Sequence, residues 1–187
     1  QSIFERTYGA IRRRDILPTQ TLRAEDKQQL LARLEPAEEY VLVDGYNILF
    51  AWDELSAIAR DNLDAARHIL MNLLCNYQAY RGCALILVFD AYKVPEGLGS
   101  VEKYHNIHIV YTKQAETADQ YIERVTYALA GRRRRVRVAT SDNLEQLIIL
   151  GHGAERVSAQ SFHDEVQAVQ AEISRLVQRN NQKNAEL

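Results

Sequence analysis

The chain has 187 residues, 47% of them hydrophobic and 26% charged, which is typical of a globular protein with one main buried core. Its formal net charge of -2 excludes nucleic-acid binding through overall charge, so any basic contact surface must be local. Two cysteines, Cys75 and Cys83, are too few for a secreted disulfide scaffold, and no apolar run approaches the roughly 18 residues of a membrane span. We therefore expect a cytoplasmic protein with reduced cysteines.

Residues 1–38 differ in pattern from the rest of the chain and contain a basic cluster, Arg12 to Arg14. We interpret residues 1–38 as an N-terminal extension or linker, residues 39–180 as the main domain and residues 181–187 as a disordered tail. The sequence starts at Gln1 rather than Met, and we expect it to be a fragment of a longer protein.

The main domain begins with alternating strand and helix patterns. Tyr40 to Val43 is a short apolar run, and a helical pattern follows from Leu63 to Tyr80. Ala84 to Phe89 is apolar at every position, as expected of a strand buried on both faces. After a loop, Ile107 to Tyr111 predicts a third strand.

The second half of the domain continues this alternation. Thr117 and Gln120 form a predicted capping box for a helix that runs to about Leu129. Further along, the patterns predict a fourth strand at Val136–Ala139, a short helix at Leu144–Leu150, an edge strand at Glu155–Ser158 and a final helix from Ser161 to about Arg179. Strands alternating with helices of this length predict an α/β fold, in which a parallel sheet carries helices on both faces.

Acidic residues fall where the predicted strands end. Asp44, Asp90 and Asp142 follow the first, second and fourth strands, and Glu116 and Asp119 open the helix after the third. In an open parallel sheet the carboxyl ends of the strands share one edge, so these acids are expected to converge. Such carboxylates raise one another's pKa values unless a cation is bound. Hard oxygen ligands favour Mg²⁺ or Mn²⁺, and two such ions roughly 4 Å apart are a standard means of hydrolysing a phosphodiester.

Each acid also has a purely structural interpretation. Asp44 with Gly45 could form a turn, Glu116 and Asp119 could stabilise a helix N-terminus, and Asp142 could cap a helix. Their joint placement on one sheet edge favours the metal centre. Competing α/β classes lack their signatures, because no glycine-rich dinucleotide loop or P-loop occurs and no histidine base accompanies the serine before Asp142.

Four segments together resemble a known family. They are Val43-Asp-Gly-Tyr-Asn-Ile48, Val88-Phe-Asp-Ala91, Thr112 through Glu116-Thr-Ala-Asp119, and Ala139-Thr-Ser-Asp-Asn-Leu-Glu-Gln146. In order and spacing they are similar to the YacP-like NYN domain, a branch of the PIN-like nuclease superfamily, over about residues 39–178. The segments around Glu116 and Asp142 make this resemblance specific.

The resemblance implies a Rossmann-like PIN fold, bacterial origin, dependence on a divalent metal and endonucleolytic cleavage of RNA, with association with translating ribosomes. It assigns the acidic centre to five residues, which are Asp44, Asp90, Glu116, Asp119 and Asp142, and polar supporting roles to Asn47 and Ser141. Residues Ile3 to Ala10 resemble, over a short stretch, the C-terminal tail of a ribosomal-protection-type translational GTPase.

Residues around this centre are candidates for holding RNA. Tyr92, Lys93 and Lys103 flank the loop after Asp90, where we expect contacts to phosphate or bases, and Tyr46 is a candidate for base stacking. The arginine run from Arg132 to Arg137 is expected at the opposite end of the fourth strand, where it would be solvated or contact more distant RNA.

We therefore predict a metal-dependent endoribonuclease that uses Mg²⁺ or Mn²⁺, held by Asp44, Asp90, Asp119 and Asp142, to cleave RNA, with mRNA as the expected partner and the ribosome as a further one. The alternatives are an RNA- or ribosome-binding module on the same fold that does not cleave, and a nucleotide-binding regulatory domain.

Overall fold

The computed structural model describes Leu34 and residues 36–90, 98–113, 116–130, 134–141 and 153–185. Predictions for residues 1–33, for Tyr92, Lys93 and Asp142, and for the short helix at 144–150 lie outside these ranges. The described strands are β1 (Glu39–Asp44), β2 (Ala84–Phe89), β3 (Leu98–Tyr104), β4 (Ile107–Lys113), β5 (Arg135–Ala139) and β6 (Glu155–Val157). The described helices are α1 (Gly45–Ala51), α2 (Asp53–Asp61), α3 (Leu63–Arg81), α4 (Ala118–Ala130) and α5 (Ala159–Ala185).

The strands form one sheet in the order β3-β4-β2-β1-β5-β6. All neighbouring pairs are parallel except β3 and β4, which confirms the predicted parallel α/β architecture. β1 lies inside the sheet and is buried along almost its whole length, as is β2. None of the described helices is long and apolar enough to cross a membrane, and Cys75 and Cys83 are free thiols.

Strand β3 is an element that the sequence did not predict. It follows the undescribed residues 91–97 and runs antiparallel to β4, with Leu98 opposite Lys113 and Lys103 opposite His108. The turn at His105 has a positive φ of 50°. Because β3 carries the chain away from the carboxyl edge, Lys103 lies near the start of β4 rather than beside Asp90. The prediction that Lys103 stands at the acidic edge is therefore wrong.

Helix α1 starts directly at the end of β1 and was also not predicted. Asp44 caps it by accepting a hydrogen bond from the Asn47 backbone N–H at 3.0 Å. Gly45 is needed for close approach, because a Cβ at this position would collide with the Phe89 ring and lie 2.9 Å from the Val88 carbonyl oxygen. The Asp44-Gly45 pair thus starts a helix pressed against β2 instead of forming a loose turn.

Helix α3 matches its prediction at both ends. The Asn62 side chain accepts from the Ala65 backbone N–H at 2.9 Å, and Gly82 ends the helix in the left-handed conformation with φ 68°. At this end Arg81 pairs with Glu39, the first residue of β1. The C-terminus of α3 therefore lies at the amino edge of the sheet, and its N-terminus lies at the carboxyl edge.

Helix α5 packs on α1 and α3. The Trp52 indole N–H donates to the Ala159 carbonyl oxygen at 3.0 Å, and the Phe162 ring contacts both Trp52 and Tyr77. The helix continues to Ala185, beyond the end expected near Arg179. Trp52 is therefore a core residue, and only 3% of it is exposed.

Candidate functional site

Three of the predicted acids meet at the carboxyl edge of the sheet. Asp44 is the last residue of β1 and pairs with Val88, while Asp90 directly follows β2. Asp119 is the second residue of α4, and the first amide of that helix, Ala118 N–H, donates to Asp90 Oδ1 at 2.6 Å. Asp90 thus fixes the N-terminus of α4 against the strand end and brings Asp119 toward Asp44.

The environment of Asp44 is that of a carboxyl group withdrawn from water. Burial raises the pKa of Asp44 to about 7, against the lowering effect of the hydrogen bond from the Asn47 amide. The charges of Asp119 and Asp90 raise it further, and a hydrogen bond joins the Asp44 and Asp119 side chains. Two carboxyl groups can share such a bond only when one holds a proton, or when a cation replaces that proton.

The chemistry of these donors fits a hard divalent cation. Carboxylate oxygens are the ligands that Mg²⁺ and Mn²⁺ prefer, and a cation would remove the repulsion among Asp44, Asp90 and Asp119. Within the described ranges, no three acidic, histidine or cysteine side chains by themselves meet the spacing of a metal-ligand set. The remaining predicted ligand, Asp142, comes directly after Ser141 and lies outside the described residues.

Glu116 has a partner that the sequence analysis missed. Its carboxylate forms an ion pair with the Arg124 guanidinium, which lies 4.6 Å from the centre of the Tyr121 ring. The Glu116 amide also donates to the Lys113 carbonyl oxygen at 2.8 Å, which holds it at the end of β4. Glu116 is therefore half of an ion pair, three residues before Asp119 in the chain. The missed signal was an arginine two helical turns along α4 from the acid.

Asn47 and Ser141 join two strand ends. The Asn47 side-chain oxygen accepts hydrogen bonds from the Ser141 backbone N–H at 2.8 Å and from the Ser141 hydroxyl. This contact ties the start of α1, after β1, to the end of β5. It fixes Ser141, the residue directly before Asp142 in the chain.

Tyr46 does not present its ring for base stacking, so that prediction is wrong. The residue is only 5% exposed, and its ring packs against Phe89 at a centroid distance of 5.0 Å. Its hydroxyl accepts a hydrogen bond from Arg67 at 3.1 Å. The burial arises because Tyr46 lies within α1, on the face that packs against the sheet.

The described part of the arginine run is engaged within the protein. Arg134 pairs with the Tyr40 hydroxyl, and Arg135 forms an ion pair with Glu155 at 2.8 Å. Arg137 is buried and bonded to Glu165 at 2.6 Å and to the Tyr77 hydroxyl at 3.2 Å. These contacts lie at β5, away from its carboxyl end, and they give this run a structural role.

The chain matches a known protein family and a related bacterial protein. The sequence profile of the YacP-like NYN domain family matches residues 41–187. The YacP protein of Bacillus subtilis (strain 168) is 38% identical over 141 residues, which cover 75% of this chain and 82% of YacP.

Solved structures agree with the sequence match. The crystal structure of Rae1 (YacP) from Bacillus subtilis superposes with a TM-score of 0.69 at 35% identity, covering 79% of this chain and 84% of that one. The structure of a single-substitution mutant of the same protein gives a TM-score of 0.68 at 35% identity, covering 77% and 84%. The range matched by the family profile, residues 41–187, includes Asp44, Asp90, Glu116, Asp119 and Asp142.

Proposed function

Because the chain belongs to the YacP-like NYN domain family, a nuclease-type family with a PIN-like fold, we propose that it is a metal-dependent endoribonuclease. The observation that carries the proposal is the convergence of Asp44, Asp90 and Asp119 from three separate segments onto one sheet edge. A structural role alone would not require a buried carboxyl group to face two others, since each unpaired charge opposes folding.

Asp44, Asp90, Asp119 and Asp142 would hold one or two Mg²⁺ or Mn²⁺ ions. When bound, such ions lower the pKa of a water molecule that attacks the phosphorus and stabilise charge on the leaving 3′ oxygen. The 2′-hydroxyl has no chemical role in this scheme, so a preference for RNA has to arise from binding.

The protein's own residues would position this chemistry. Asp90 keeps its side chain oriented through the bond from the Ala118 amide, and Asp44 is oriented by the Asn47 amide. Glu116, which is paired with Arg124, is proposed to reach the metal centre, where its carboxylate would orient the attacking water or accept its proton. Asn47 and Ser141 would act as polar supports that set the exit of the chain toward Asp142.

We also propose mRNA as the substrate and the ribosome as the setting, in the cytoplasm. These partners rest on the family resemblance of the segments around Asp44, Asp90, Glu116 and Asp142. Lys93 and Tyr92, which follow Asp90 in the chain, remain proposed RNA contacts. Lys103 does not, because of its place in β3.

The test measures cleavage and binding on the same variants. End-labelled RNA is incubated with the parent chain, Asp44→Asn and Asp90→Asn, with Mn²⁺ or EDTA, and with or without ribosomes. Both substitutions keep an oxygen that can accept the amide hydrogen bond, so the fold should persist while cleavage falls by at least about 100-fold. RNA affinity should stay the same or rise, because negative charge near phosphate is lost.

The matched control is Asp164→Asn, which removes an exposed carboxylate on α5 and should cleave like the parent. Equal cleavage by Asp44→Asn, Asp90→Asn and the parent would overturn the nuclease assignment. Binding without cleavage by every protein under every condition would favour the non-cleaving RNA-binding module.

A further inference from the structure

Arg67 is a cation near the acidic edge that the proposed mechanism does not use. It lies in the second turn of α3, whose opposite end is fixed at the amino edge by Arg81 and Glu39. A helix of 19 residues spans roughly 28 Å, more than the length of a six-residue strand. The start of α3, and Arg67 with it, is therefore at the carboxyl edge.

Contacts around Tyr46 fix the position of Arg67 more closely. Arg67 Nη1 donates to the Tyr46 hydroxyl at 3.1 Å, and Tyr46 is two residues beyond Asp44. The Tyr46 ring also contacts Phe89, the residue that directly precedes Asp90. Arg67 is thus joined through one buried side chain to the segments that carry two of the three aspartates.

Tyr46 also contacts an exposed aromatic ring, that of Phe50. Phe50 is one helical turn further along α1, and its ring stacks on Tyr46 with 6.2 Å between centroids and 22° between planes. Phe50 is 47% exposed, so part of its ring is open to solvent. Tyr46 therefore contacts the Arg67 guanidinium through its hydroxyl and the exposed Phe50 ring through its own ring.

The present partner of Arg67 is one that a ligand could replace. Arg67 forms an ion pair with Asp64, whose side chain is 73% exposed, while its own side chain keeps 17% exposure. Ion pairs of this i,i+3 kind with an exposed partner stabilise a protein little. A phosphate offers the same guanidinium a stronger, charge-assisted and bidentate contact.

We propose that Arg67 and Phe50 form a subsite for one nucleotide of single-stranded RNA beside the acidic centre, with phosphate on Arg67 and a base on Phe50. A cation next to an aromatic platform is the usual arrangement for binding single strands without sequence preference. In a duplex the base faces are already stacked and cannot reach Phe50. The subsite rests on the proposed function for its substrate class, and it would hold the strand in place for cleavage.

The proposal is tested by binding in EDTA, where no cleavage occurs. Fluorescent single-stranded RNA 12-mers, a duplex of the same sequence and an abasic 12-mer are titrated with the full chain and its variants. Arg67→Gln should weaken single-strand binding about tenfold and reduce the slope of log affinity against log salt by about 0.7, the value for one phosphate contact. Phe50→Ala should weaken binding of the base-bearing strand about tenfold and leave the abasic strand unchanged.

Two further variants separate this subsite from a structural role. Asp64→Asn should raise affinity several-fold, because it removes the carboxylate that competes with phosphate, whereas a structural ion pair would give no gain. Phe50→Tyr should bind like the parent. The controls are Arg81→Gln and Tyr80→Ala at the far end of α3, where an arginine and an exposed ring also occur. Both should leave affinity and salt slope unchanged.

The outcomes are distinct from those of the nuclease test. If the parent cleaves RNA but Arg67→Gln and Phe50→Ala bind with parental affinity and salt slope, the subsite is wrong and the nuclease proposal stands. If both variants lose binding as expected while the parent never cleaves, the subsite stands and the catalytic proposal is wrong. If Phe50→Ala lost affinity equally for the single-strand, duplex and abasic probes, the assignment of a base to Phe50 would be overturned.

Discussion

Asp44 combines two opposed physical demands in one carboxyl group. Its backbone hydrogen bond from Asn47 favours the charged form, whereas burial and two neighbouring aspartates favour the neutral form and raise its pKa to about 7. Between the unfolded value near 4 and this folded value, the folded state binds more protons than the unfolded state. The free energy of unfolding contributed by Asp44 therefore falls as pH rises from about 4 to about 7 without metal.

Replacing Asp44 by Asn should therefore stabilise the metal-free protein at high pH. In EDTA at pH 8 we expect the Tm of Asp44→Asn to exceed that of the parent by on the order of 5 °C. At pH 4 the two should be equal, because the parent carboxyl group is then neutral in the folded state. Thermal unfolding followed by circular dichroism gives the Tm of each protein at pH 8 and at pH 4. Asp164→Asn is the control and should have the same Tm as the parent. A lower Tm for Asp44→Asn at pH 8 would mean that its charge is structural.

Residues at the site differ in how well the sequence predicts them. The strand-end positions of Asp44 and Asp90, and the helix opening at Asp119, follow from hydrophobic patterns that local sequence carries. The burial of Tyr46 and the pairing of Glu116 with Arg124 depend on which face of a helix meets which neighbour. These contacts are set by tertiary packing, so no local pattern reveals them.

At the scale of elements, the approach of α1 to β2 depends on a missing side chain. A Cβ at Gly45 would overlap the Phe89 ring and press on a backbone carbonyl that cannot move freely. Gly45→Ala should lower the free energy of unfolding by about 1–3 kcal/mol, as overpacked core positions do. It should also disturb the neighbouring Asp44, so activity should fall even at temperatures where the variant is folded.

Gly82→Ala provides the contrast for this prediction. A Cβ added at Gly82 would meet no atom within 4 Å, but the φ of this residue is 68°. An alanine there would be strained by the backbone conformation alone. We expect Gly82→Ala to lower the free energy of unfolding by about 1 kcal/mol and to leave activity unchanged. Gly82→Asn should lower the free energy of unfolding less, because asparagine tolerates the left-handed conformation better than alanine. Urea unfolding with parallel activity assays distinguishes the two sites. A harmless Gly45→Ala would contradict the packing described for α1.

The missed strand β3 has a physical explanation. Its sequence from Leu98 to Tyr104 includes a glycine, a serine and two charged residues, which have low or context-dependent β-propensity. It lies at the edge of the sheet, and its side chains from Ser100 to Tyr104 are exposed or half-buried, so it needs no continuous apolar pattern. The interior strands β1 and β2 were found because burial on both faces demands apolar residues throughout.

An ion pair between the buried Arg137 and the half-buried Glu165 fastens α5 to the sheet. Arg137 is 6% exposed, and its partner Glu165 also accepts from the Tyr77 hydroxyl at 2.9 Å. Although burial acts to raise it, the hydrogen bonds from Arg137 and Tyr77 hold the pKa of Glu165 below its usual value. Glu165→Gln should lower the free energy of unfolding by on the order of 2 kcal/mol, because the buried guanidinium loses the nearer of its two carboxylate partners and keeps only Glu155, at 3.6 Å.

The matched control for this pair is Arg135→Gln, which breaks an exposed ion pair with Glu155. We expect this variant to lower the free energy of unfolding by less than about 1 kcal/mol. Urea denaturation of both proteins at neutral pH measures the difference. Similar losses would mean that the Arg137–Glu165 pair is no more than a surface interaction.

Across the whole molecule, stability should be unevenly distributed along α5. Its first part carries buried residues such as Phe162, Val166 and Val169, whereas the side chains from Ser174 to Lys183 are exposed. Hydrogen exchange followed by mass spectrometry should show amides of residues 175–183 exchanging at least about 100-fold faster than those of residues 162–169. Equal protection along the helix would indicate a partner on its distal half.

The central position of β1 bears on how the chain folds as it is synthesised. β1 pairs with β5, in which Arg135 opposes Glu39, and Trp52 bonds to Ala159, which is 107 residues later. At about 5–20 residues per second, translation leaves the apolar faces of β1 and the first helices uncovered for roughly 5–20 s. The first half of the domain thus emerges without the strand and helix that enclose it. This delay favours protection by nascent-chain chaperones over early independent folding, and it places completion of the core at the end of synthesis of α5.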